Sequence, residues 1–268
     1  MTGSGTEQDP IIVANWDEFT TATETTPDGY IKWADSDNKF IDFNNIKPEG
    51  FDEVIYFPAN VDFNGWTLRN FASSSNYAIR YKSKSGIIEN LILENIYISS
   101  QYLIYGNYEL KNCQFSGRIQ SNSNVYVFSA CGLNMCSANI SINSAGMVYM
   151  VNDSGFSSPK AWIKKSDIIL DISTKGTSVY IARNSLINSR IFGKVVMGNT
   201  SYLWLGGSGS MSNVINLESN VKLRLFGGIS VFNSDIADTD SPDVLIACTA
   251  EQLKNPEYLA SIGFPIGV

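Results

Sequence analysis

Histidine is absent from all 268 residues. That removes Ser-His and Cys-His nucleophile pairs, and the usual zinc hydrolases and deaminases, from consideration. Cysteine is scarce: Cys113, Cys131, Cys136 and Cys248 contain no CxxC pair. They read as small buried thiols of a chain made in a reducing cytosol. Charge is thin, with 17% Asp, Glu, Lys and Arg and a net of −7. No run of Lys or Arg interrupts that acidity, so a phosphate-tracking nucleic-acid surface is not expected. No apolar stretch approaches the ~20 residues of a membrane helix, so no membrane insertion is expected. The opening "MTGSGTEQDPIIVANW" lacks a basic start followed by an apolar run, so it does not read as a secretory signal.

What remains is rich in Asn, Ser, Gly, Ile, Val, Tyr and Phe, the residues of strands and turns. One phrase recurs: "IIENLILENIYIS" from Ile87, "LKNCQFSGRIQ" from Leu110, "LNMCSANISIN" from Leu133 and "IKKSDIILDIS" from Ile163. It continues as "LINSRIFGKVV" from Leu186, "MSNVINLESNV" from Met211 and "VFNSDIADTD" from Val231. Aligned, one column reads Asn90, Asn112, Met135, Lys165, Asn188, Asn213 and Asn233. A period of about 23 residues made only of strands and turns fits one coil of a solenoid. The chain is therefore expected to be all-β, a right-handed parallel β-helix of roughly seven rungs about 34 Å long, with short helical caps at both termini. The asparagines form a structural ladder: each takes the left-handed backbone at the same corner and bonds to the amide of the next rung.

A second column contains Tyr126, Tyr149, Tyr180 and Tyr202, with Tyr102 a looser first member. Stacking that stiffens the coil is the simpler reading. A platform for sugar rings is the functional one. The long step between Met135 and Lys165 places a lateral loop at "VNDSGFSSPKAW", where Phe156 and Trp162 are the candidate contact residues for a glycan or a partner. Asn15 with Glu18, and Thr249 with Gln252, have capping-box spacing. Trp16 and Phe19 are placed to plug the first rung, and Pro256 to split the final helix. The expected divisions are an N-terminal segment and capping helix over 1–54, the β-helix over 55–247 and a cap over 248–268.

No catalytic, metal or cofactor set emerges. "GGSGSM" at Gly206 has neither nucleophile-elbow spacing nor a following Lys. Asp167 and Asp171 share a strand face but stand about 13 Å apart, beyond the roughly 5–9.5 Å of glycosidase pairs. The alignment sets Arg190 beside Asp167 and Lys194 beside Asp171, as cross-rung ion pairs. Asp235, Asp238, Asp240 and Asp243 read as a solvated acidic loop rather than a calcium site.

The termini "GSGTEQDPIIVANWDEF" and "YLASIGFPIGV", flanking Asn-rich rungs, resemble the ends of short β-helical virion proteins of tailed bacteriophages. The resemblance implies a fibre, spike or head or tail appendage, commonly a homotrimer, and the absence of a catalytic set makes it read as non-enzymatic. It would be made in the host cytoplasm and built into the virion, with other virion proteins and host cell-surface glycan as partners. No functional residue of that group maps onto a position here. Two alternatives stand beside it: a polysaccharide-degrading β-helix enzyme, and a glycan-binding surface module.

Overall fold

The computed structural model describes residues 1–46, 53–83, 86–99, 101–153, 161–198 and 202–264. The chain winds into a parallel β-solenoid of about eight turns, one more than the repeat predicts. One turn shows the pattern. Glu109–Lys111 lies in sheet 1, Gln114–Ser121 crosses sheet 2 and Val125–Ser129 forms a strand of sheet 3. Gly132–Asn134 then returns to sheet 1, pairing in parallel with Glu109–Lys111. Among the described residues, sheets 1 and 3 hold eight strands each and sheet 2 holds eleven.

Strand partners are one turn apart in sequence, so the alternation within each strand stacks like residues on like. In sheet 1, Ile88, Leu110, Leu133, Ile163 and Leu186 are successive partners, and all are fully buried. In sheet 2, Ile119, Ile142, Ile172 and Val195 do the same. Burying one such side chain contributes about 1.5–3 kcal/mol, so columns of this kind supply most of the driving force.

Parallel pairing begins before residue 55. Ile11–Val13 and Tyr30–Trp33 already belong to sheet 1 and Phe40–Asp42 to sheet 2, so the first segment contributes coil as well as cap. The helix Trp16–Thr25 covers the open end. Asn15 Oδ1 accepts the Glu18 N–H (2.9 Å), while Glu18 Oε2 accepts that of Ala14 (2.8 Å). Phe19, fully buried, packs its ring 5.4 Å from Trp33, 6.0 Å from Phe57 and 5.7 Å from Phe63. Bulky rings fill the end where no further rung closes the core.

At the other end Thr249 and Gln252 exchange reciprocal bonds, the Gln252 side chain accepting the Thr249 N–H at 2.8 Å. Pro256 separates a 3₁₀ turn (Gln252–Lys254) from the helix Pro256–Ser261, as anticipated. Phe264 packs beside Val231 and Cys248.

Candidate functional site

At the corner between sheets 1 and 2, Asn90, Asn112, Met135, Lys165 and Asn188 all take the left-handed conformation, with φ of 48–56°. Asn112 Nδ2 donates to Asn90 Oδ1 (2.6 Å), and Asn90 Nδ2 to Asp62 Oδ1 (2.8 Å). The ladder therefore ends on a carboxylate.

Two expected members are elsewhere. Arg190 pairs with Val214, so Ser212 (φ 56°) stands at the corner, and Asn213 points into the core with no exposed surface. There Asn213 Oδ1 accepts the Ser189 N–H (3.1 Å), extending an inner column in which Ser166 Oγ accepts from Cys136 N and Ser189 Oγ from Ser166 N. Each residue of that column satisfies a backbone N–H left free by the left-handed turn. Cys113 and Cys136 occupy the same column as free buried thiols. Burial pushes the Cys113 thiol well above its usual range, with a smaller upward contribution from Cys136. Asn233 pairs in register with Asn216 and donates to it at 2.9 Å, within sheet 2 rather than at the corner.

A second ladder was not foreseen. Asn95 Nδ2 donates to Asn70 Oδ1 (2.7 Å) and Asn70 Nδ2 to Asp42 Oδ1 (2.9 Å), with both asparagines left-handed. The one-turn spacing of Asn70 and Asn95 is the signal that points to it.

The aromatic column lies on the outer side of sheet 3 and is longer than the tyrosines alone. Its rings run Tyr77, Tyr102, Tyr126, Tyr149, Tyr180, Trp204 and Phe226. From Tyr102 to Tyr180 the centroids are 4.7–4.9 Å apart and the planes within 11° of parallel. Tyr202 is not part of it. Tyr180 pairs with Trp204, and Tyr202 instead lies under Arg224, whose guanidinium sits 3.4 Å from the ring centroid. Arg224 Nε also donates to Asp240 (2.9 Å), and that hydrogen bond holds the Asp240 carboxyl below its ordinary value.

This geometry bears on both readings of the column. Rings stacked at the strand spacing cover one another's faces, and only edges and hydroxyls reach outward. A pyranose needs an open face. The interior of the ladder therefore braces the coil, and open aromatic faces are confined to its ends.

Trp162 belongs to sheet 1, on a different side of the coil from the tyrosines. Its indole presses over Gly132, where an added Cβ would lie 2.5 Å from the ring, and Lys164 Nζ sits 4.5 Å above it. Phe156 lies outside the described residues.

Ionic groups are mostly consumed across turns. Arg190 Nε donates to Asp167 (2.6 Å) as expected, whereas Lys194 reaches Glu218 (2.6 Å) instead of Asp171. Asp238 pairs with Lys222 at 3.3 Å, so Asp238 and Asp240 of the 235–243 loop both pair across turns. Among the described residues no three acidic or thiol side chains converge on a metal position. A groove of about 620 Å³ runs over sheet 2, lined among others by Glu94, Gln114, Ser137, Asn139 and Asp167. Ile92, Gln114, Ser137 and Asp167 are successive partners, so the Glu94 and Asp167 backbones stand about 14 Å or more apart.

No family model, curated protein or solved structure matches the chain.

Proposed function

We propose that the chain is a non-enzymatic structural rod, an appendage of the kind that the resemblance to tailed-phage virion proteins implies, with a surface that contacts a host glycan. The observation that carries this reading is the aromatic ladder locked across seven consecutive turns on one side of a capped solenoid. Stacked rings, amide ladders and cross-turn ion pairs all run along the axis. They resist bending and unwinding, as a rod requires, and offer no moving part. Mass spectrometry of purified particles from the encoding phage should find the chain in fixed ratio to major virion proteins. Abundance in the lysate with none in the particles would overturn the proposal.

The sheet 2 groove favours the enzymatic alternative, because it brings two carboxylates to one concave face. The backbones of the two residues lie three strands apart, about 14 Å or more, and Asp167 is already tied to Arg190. New reducing ends from capsular or cell-wall glycans, abolished by Glu94→Gln or Asp167→Asn, would establish that alternative.

A further inference from the structure

Arg80 stands outside the pairing that serves most arginines here. Of the six, Arg69, Arg183, Arg190 and Arg224 each bind a carboxylate. Arg80 and Arg118 bind none among the described residues. Arg118 is exposed, whereas Arg80 is half-buried among aromatic rings. Its guanidinium carbon lies 5.1 Å from the Tyr77 centroid, 5.6 Å from Tyr81 and 5.9 Å from Tyr105. In register it sits between Tyr56 on one neighbouring strand and Tyr105 on the other. Lys82, two residues on, places Nζ 5.1 Å from the Tyr56 ring. The segment "YAIRYKSK" thus gathers cations in a chain whose net charge is −7.

Two physical points give this cluster a ligand. Among the described residues the Arg80 guanidinium meets rings rather than carboxylates, and a guanidinium edge matches a carboxylate in two-point geometry. A half-buried cation without a counter-charge is also costly, so an arriving anion recovers free energy that a solvated Arg118 would not offer. The rings differ from the ladder interior as well. Tyr77 and Tyr105 are tilted by 47° and Tyr81 and Tyr105 by 30°, a wedge-shaped arrangement in place of the parallel stack of the ladder interior. Burial keeps the Tyr105 phenol above its usual range, so its hydroxyl stays protonated through neutral pH.

We propose that Arg80, framed by Tyr77, Tyr81 and Tyr105 with Lys82 and Tyr56 beside it, binds an acidic saccharide of the uronate type through its carboxylate. A sugar ring suits the wedge better than an acidic peptide does, because it presents C–H groups to the tyrosine faces and hydroxyls to the phenols. The inference rests on the rod reading only in naming the ligand of its contact surface.

Calorimetric titration of the full chain with an oligogalacturonate of defined length tests it. Binding is expected, weakened about tenfold or more in Arg80→Gln, the order expected for a lost charge-assisted bond. Arg80→Lys should retain part of the affinity and Arg118→Gln all of it, with unchanged thermal melting confirming that each variant is folded. Equal binding by Arg80→Gln overturns the site. So does equal binding of the carboxyl-reduced oligomer, of a sulfated oligosaccharide or of poly-glutamate, or no uronate binding by the wild type. Particle association, measured separately, is untouched by any of these outcomes.

Discussion

Met135 holds a left-handed backbone (φ 53°) that a methionine side chain does nothing to favour, and nearly half of its surface is exposed. It sits one turn beyond Asn112, where the amide ladder stops. Asparagine tolerates this conformation and brings an amide to the Asn112 side chain. Met135→Asn should therefore stabilise the solenoid by about 0.5–1 kcal/mol, seen as a raised urea midpoint with the slope unchanged. A lowered midpoint would mean that methionine packing outweighs backbone strain. Such strained positions mark where the repeat was readable despite the loss of its consensus residue. Met135 and Lys165 were placed correctly by spacing alone, whereas Asn213 was misplaced because matching asparagine to asparagine slipped the register by one residue. The pairing of Ile191 with Ile215, both buried, sets the true register. A one-residue slip would turn a whole strand's apolar side to water, a penalty no single amide offsets.

Between elements the aromatic ladder carries the testable content. Tyr149 lies between Tyr126 and Tyr180, 8% exposed and nearly parallel to both. Tyr149→Ala removes two stacking contacts and opens a gap, and should cost about 3 kcal/mol. Tyr149→Phe keeps the ring and should cost under about 0.5 kcal/mol, because the hydroxyl makes only a weak contact with Met147 sulfur. Chemical denaturation of both variants checks the contrast.

The ladder also sets an alkaline limit. Burial, helped by the neighbouring Tyr126, pushes the Tyr102 phenol up to about 12. A group that loses its proton later in the folded state than in the unfolded chain stabilises fully below the unfolded value. That stability drains away as pH rises towards the folded value. Unfolding should accordingly become easier between pH 10 and about 12, with phenolate absorbance rising alongside the loss of structure. Phenolate formation complete by pH 10.5 without unfolding would contradict this. Tyr202 and Trp204 show why the column was only partly legible. Both lie in "SYLWLGG", and nothing local says which of them faces the ladder.

For the whole molecule, the ends decide whether the coil survives as a discrete rod. Phe19 is the plug that the N-terminal helix inserts against Trp33, Phe57 and Phe63. Phe19→Ala should cost about 3–5 kcal/mol and expose the first rung's edge, so that light scattering reports end-to-end association on mild heating. A variant that melts like the wild type and stays dispersed would show that the rest of the helix is cap enough.

Periodicity was enough to establish the solenoid, its axis-parallel stacking, both capping boxes and the Asp167–Arg190 pair, because each depends on residues a fixed turn or a few positions apart. It could not reveal the second amide ladder, the partner of Lys194, the inward turn of Asn213 or the tyrosine wedge around Arg80. Those follow from the register between rungs and from how side chains lean across it, and both are fixed by packing the whole coil rather than by any one segment.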